Sequence, residues 1–84
     1  MQCFVYRSKK QQNTYLFLPT QDDFSNVPDS LLKLFGEAEL SFDFELHAER
    51  KLVLADTGEV LRNLTDNGYF LQLPPGDDRY LTAH

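Results

Sequence analysis

The sequence predicts an α+β fold of about four strands and two main helices, in the order β-β-α-β-α-β, with a short extra helix at the C-terminus. Three observations carry this. Residues 2–7 and 14–18 are apolar runs joined by a short polar link, the pattern of an antiparallel hairpin. Residues 39–46 alternate apolar and polar side chains, the period of a half-buried strand. Two further stretches carry helix punctuation, from Pro28 to Gly36 and from Asp56 to Gly68.

The length sets the scale. A chain of 84 residues makes a single small domain, 1–84, burying roughly 60% of the surface its unfolded form exposes. Cys3 is the one cysteine, so no intrachain disulfide forms and a cysteine-based metal site is excluded. A small domain without staples relies on packing, which fits a reducing cytoplasm. No basic stretch and apolar run precede Cys3, which argues against a lipid-modified cysteine. No apolar run approaches the roughly 18 residues of a membrane span. The net charge of −5 argues against generic nucleic-acid binding, which goes with a basic domain.

In the first strand, Gln2 to Arg7, Cys3 and Val5 point one way and Phe4 and Tyr6 the other. In the second, Thr14 to Leu18, Tyr15 and Phe17 oppose Leu16 and Leu18. Strands apolar on both faces are covered on both faces. Pro19 closes the second strand, and the polar stretch to Asn26 is rich in turn formers. Pro28 suits the first turn of a helix, and Asp29 suits the positive end of its dipole. Leu31, Leu32, Leu34 and Phe35 form its apolar stripe, and Gly36 ends it. A helix this short requires docking on the sheet. Phe24 and Val27 fold down beside it.

In the alternating strand, Leu40, Phe42, Phe44 and Leu46 face the core, while Ser41, Asp43 and Glu45 face water. One wet face fits an outer strand, and its acids discourage edge-to-edge aggregation. Residues 47–51 are a polar connection, and Leu52 to Ala55 read equally as extended chain or as a helix lead-in. Asp56 reads as an N-cap with Glu59 at capping-box spacing, starting a helix from about Thr57 to Asn67 with Val60, Leu61 and Leu64 inward. Asn63-Leu64-Thr65 matches a glycosylation sequon but falls inside that helix. Asn67-Gly68 also matches a hairpin-turn signal, but after a helical pattern it reads as the helix end. A last apolar strand follows, Tyr69 to Leu73, stopped by Pro74 and Pro75, which offer no N–H to a ladder. Gly76-Asp77-Asp78 cap a final short helix from Arg79 to Ala83.

Seven short segments, in four groups, resemble the YcgL family of small bacterial cytoplasmic proteins. They are Cys3-Phe4-Val5-Tyr6-Arg7-Ser8 with Thr14-Tyr15-Leu16, Asp23-Phe24-Ser25-Asn26-Val27-Pro28 with Phe35-Gly36, Arg50-Lys51-Leu52-Val53 with Ala55-Asp56, and Gly68 through Pro75. They span nearly the whole chain in family order. The resemblance implies a compact α/β sandwich, a mainly antiparallel sheet packed with helices. It implies no activity and no catalytic residues. Some relatives carry a longer helical tail than the stretch that follows Pro75 here.

No glycine-rich phosphate loop, nucleophile elbow or metal-ligand spacing occurs, so no catalytic residue, cofactor or metal ligand is assigned. His47 and His84 read as solvent-exposed. Cys3 reads as a small buried strand residue, against a reactive thiol tuned by Arg7. Asp56 reads as a cap before it reads as a general base. The set with binding chemistry is basic and aromatic. Arg7, Lys9 and Lys10 flank the first loop, and Arg50 and Lys51 sit before the capped helix. If the two loops meet, bordered by Tyr6 and Tyr15, they make a positive site for a phosphate, a carboxylate or a nucleic-acid backbone. The alternative is ordinary solvated charge. The leading functional reading is a non-enzymatic binding or regulatory module that engages a protein partner through a sheet edge or helix face. A small RNA- or nucleotide-phosphate-binding protein comes second, and an enzyme with an unfamiliar site third.

Overall fold

A computed structural model describes residues 1–47, 49 and 56–74. Its four strands are β1 (Gln2–Ser8), β2 (Tyr15–Leu18), β3 (Ala38–Glu45) and β4 (Phe70–Gln72). They form one sheet in the order β3-β1-β2-β4, with every neighbouring pair antiparallel. Two helices, α1 (Asp29–Phe35) and α2 (Thr57–Asp66), complete the α+β architecture. The radius of gyration of 12.0 Å matches the roughly 12 Å of a compact chain this long.

The double-sided apolar pattern of β1 and β2 has the expected consequence. Cys3, Val5 and Phe17 pack with Val60 and Leu64 of α2 on one face. Tyr6, Leu16 and Leu18 pack with Val27 and Phe35 on the other, beside Phe24, Leu31 and Leu32. The two central strands are thus buried on both sides. On α1, Leu34 departs from the expected stripe and is 49% exposed. At about 100° per residue Phe35 lies between Leu31 and Leu32 around the helix, whereas Leu34 lies about 100° from Phe35, outside that arc.

β3 is an outer strand, as its polar residues imply, but its apolar residues do not all reach the core. Leu40 is 41% exposed and Phe42 50% exposed. The register explains part of this. Val5 faces Phe42 and Tyr6 faces Leu40, so Ser41 is an extra residue, a bulge. Across it the side-chain alternation slips by one. Phe42 and Phe44 therefore sit on the α2 side with Val5 and Cys3, whereas Leu40 sits on the α1 side with Tyr6. Edge position explains the rest, because only Phe44 packs against the α2-side cluster, while Leu46 is buried within it.

Glycines close both helices. Gly36 takes φ +76° and ψ −156°, and its N–H donates to Leu32 O at 2.9 Å. Gly68 takes φ +82°. Its N–H and that of Asn67 converge on Asn63 O, at 3.1 and 2.8 Å. This settles Asn67-Gly68 as a helix end. Asn63 itself lies within α2, its side-chain amide donating to Glu59 O at 2.8 Å. Asp56 is the N-cap, its Oδ1 accepting from Gly58 N–H at 2.9 Å. The final strand is shorter and less buried than its composition suggests: Phe70–Gln72 only, half-buried, at the sheet edge opposite β3. Residues 52–55 and the expected helix from Arg79 to Ala83 lie outside the described residues.

Candidate functional site

Arg7 ends the regular part of β1 and faces Tyr15 across the hairpin. Ser8 follows, buried, and organises the turn. Its Oγ accepts N–H bonds from Lys10 at 3.2 Å and Gln11 at 2.7 Å, and donates to Phe35 O. Ser8 N–H donates to Thr14 O and Lys9 N–H to Glu37 O, both at 3.0 Å. Asn13 takes φ +58°, which lets the loop turn back into β2. The loop is therefore tied at one side to the junction between α1 and β3.

This frame makes an open concavity of about 590 Å³ lined by Arg7, Lys9, Lys10, Gln12, Asn13 and Tyr15, with Ser8 at its base. Two of its cations have acidic partners distant in sequence. Arg7 Nη2 bonds Glu39 across the ladder, and Lys9 Nζ lies 3.0 Å from Glu37. The guanidinium holds the Glu39 carboxyl below its usual range, and the Glu37 carboxylate raises Lys9. The β1–β3 register was the missing signal, since it sets Arg7 against Glu39 and Ser8 against Ala38. Arg50 and Lys51, the other expected members of the site, lie outside the described residues. Tyr6 does not line this concavity. It is buried on the α1 side, its hydroxyl bonded to Asp22.

The remaining titratable candidates behave structurally. Cys3 is fully buried, and burial pushes its thiol up to about 12. His47 is exposed just after β3. No group of three or more His, Cys, Asp or Glu side chains among the described residues is placed to hold a metal ion. No helix among them is long and apolar enough to cross a membrane.

The second candidate surface is the outer side of β3. All eight residues of this strand are exposed or half-exposed, and among the described residues no strand pairs with its outer edge. Phe42 and Phe44 stack on the α2 side of this strand, ring centroids 5.8 Å apart. The other edge, β4, is three residues long and is followed by Pro74 and Pro75.

The family model described as the YcgL domain matches residues 3–75. The chain belongs to the YcgL family. It is 48% identical to a YcgL domain-containing protein of Shewanella amazonensis, over all of this chain and 91% of that protein. It is 46% identical to one of Citrobacter koseri, over all of this chain and 87% of that protein. It is 45% identical to Protein YcgL of Shigella dysenteriae, over all of this chain and 78% of that protein. The family name states no activity.

Proposed function

We propose that this YcgL-family protein is a non-enzymatic binding module that takes an extended segment of another protein along the outer edge of β3. The reading rests on the half-exposed Phe42, on a long strand whose outer edge pairs with no strand among the described residues. Soluble proteins blunt such edges with short strands or prolines, as at β4, because an open edge recruits strands. An added strand gains main-chain hydrogen bonds from the edge and side-chain contacts from Phe42 and Phe44. The lone, buried Cys3 fits a reducing, cytoplasmic setting.

The test is a photo-crosslinking residue in place of Ser41, with Arg62 on α2 as the control position, in living cells. A discrete adduct from position 41 that disappears with Phe42→Asp is expected. Equal adducts from both positions, or none from position 41 across growth phases, would sink the reading.

A second reading has its own observation, the concavity beside Tyr15. Arg7, Lys9 and Lys10 would hold a phosphate group of a nucleotide or RNA backbone there, and the reading extends to Arg50 and Lys51, which lie outside the described residues. Against it stand the net charge of −5 and the Glu37 and Glu39 pairings. Titration with inorganic phosphate and with a short RNA, followed by amide shifts in the hairpin, decides it. Shifts lost in Arg7→Ala/Lys10→Ala and weakened by salt support the site; no shift at millimolar phosphate or micromolar RNA removes it.

A further inference from the structure

The two sides of the β3 edge differ in chemistry. Phe42 and Phe44 lie on the α2 side, and Asp43 and Glu45 lie on the α1 side. Regular alternation runs from Phe42 to Glu45, beyond the bulge at Ser41. Asp43 accepts from Gln2 Nε2 at 2.6 Å, and Glu45 pairs with the N-terminal ammonium, yet both acids remain exposed.

A second copy of this chain fits the edge badly. Two-fold antiparallel pairing sets residues of the same sheet side against each other. Centred on Asp43, it puts that carboxylate opposite itself. Centred on Phe44, it puts Asp43 opposite Glu45. Like charges directly opposite each other destabilise a strand pair. Centred on Phe42, the pairing runs into the bulge, where the sides no longer alternate regularly.

Resting on the strand-docking reading, we infer that the β3 edge selects a segment of a different protein in which apolar residues alternate with lysine or arginine. The apolar residues lie over Phe42 and Phe44. The cations face Asp43 and Glu45. Opposite charges across a strand pair are favourable, and a compact edge of acids rejects both acidic strands and its own copy.

The experiment uses the full chain, isotope-labelled, and three probes. One is a capped peptide alternating valine and lysine between threonine ends. The second has glutamate in place of lysine. The third is the lysine peptide against Asp43→Lys/Glu45→Lys. Amide shifts from Phe42 to Glu45 are expected with the lysine peptide, which binds at least about fivefold more tightly than the glutamate one, from two cross-strand charge pairs. The double variant reverses the preference. Sedimentation of the unliganded protein is expected to show a monomer. Equal affinity for both peptides, an unchanged preference in the variant, or a dimer lost with Phe42→Asp overturns the charge pattern while leaving strand docking standing. If no peptide moves the β3 amides, strand docking itself fails.

Discussion

Tyr6 and Asp22 hold each other by two hydrogen bonds. The Tyr6 hydroxyl donates to Asp22 Oδ1 at 2.7 Å and accepts from Asp22 N–H at 2.6 Å. Asp22 sits at φ +61°, a conformation that a side chain other than glycine adopts at a cost. Burial raises the Tyr6 pKa first, and the accepting carboxylate adds to it. The phenol thus pins the turn-rich loop after β2 to the sheet. Tyr6→Phe keeps the edge-to-face packing on Phe24 but removes both bonds. An expected loss of about 1–2 kcal/mol follows in urea unfolding, with faster hydrogen exchange at the Asp22 amide. Unchanged exchange there would mean that the loop holds its turn unaided.

Gly68 is fixed by two independent constraints. Its φ of +82° disfavours any side chain, and a Cβ there would lie 2.4 Å from Asn26 Nδ2 and 2.8 Å from Asn26 Cβ. Gly68→Ala is expected to cost about 1–3 kcal/mol from the backbone conformation alone, and more from the clash. Adding Asn26→Gly clears the space without relieving the backbone. Thermal melts of the single and double variants separate the two terms: partial recovery is expected, and full recovery would show that the dihedral contributes nothing.

The order of elements was legible because several boundaries carry a residue with a physical reason to stop a helix or strand. Pro19, Gly36, Gly68 and Pro74 are such residues. The two-faced apolar pattern of β1 and β2 likewise announced cover on both faces, which α1 and α2 provide. What the sequence could not show was set by pairing. Strand order decides that β3 is an edge, and the bulge at Ser41 decides that Leu40 leaves the side of Phe42. A strict two-residue period counts both as core. The hairpin basics were legible as a group, but the pairing of Arg7 with Glu39 and Lys9 with Glu37 depends on a register between distant segments.

That difference between β2 and β3 is measurable. Phe17 is buried, with Phe44 and Phe70 edge-on at 6.5 and 5.7 Å. Phe17→Ala should cost about 3–5 kcal/mol as a core truncation. Phe42 is half exposed, so Phe42→Ala gives up about half of a full burial, roughly 1 kcal/mol. Chemical denaturation compares them directly. Equal losses would return Phe42 to the core and remove the apolar half of the proposed docking edge.

Cys3 gives the protein a pH dependence of definite sign. Burial raises its thiol to about 12 in the folded state, whereas an exposed thiol titrates near 8.5. Below about pH 8.5 both states keep the proton, and the full contribution is present. Between there and the folded value the unfolded chain releases the proton and the native state retains it. The native state then binds more protons, so stability falls as pH rises, by about 1.4 kcal/mol per unit once the unfolded thiol is ionised. The window from roughly pH 8.5 to 10 isolates this group, because the raised Tyr6 phenol and Lys9 ammonium begin to lose their contributions only near 10 and above. Cys3→Ala lowers stability at neutral pH through the lost packing but flattens the slope in that window. Urea midpoints at half-unit steps report both, and an unaltered slope in the variant would place the alkaline loss elsewhere. Alkylation of the wild-type thiol should meanwhile proceed only as fast as the chain opens, since a neutral, fully buried sulfur offers no thiolate to the reagent.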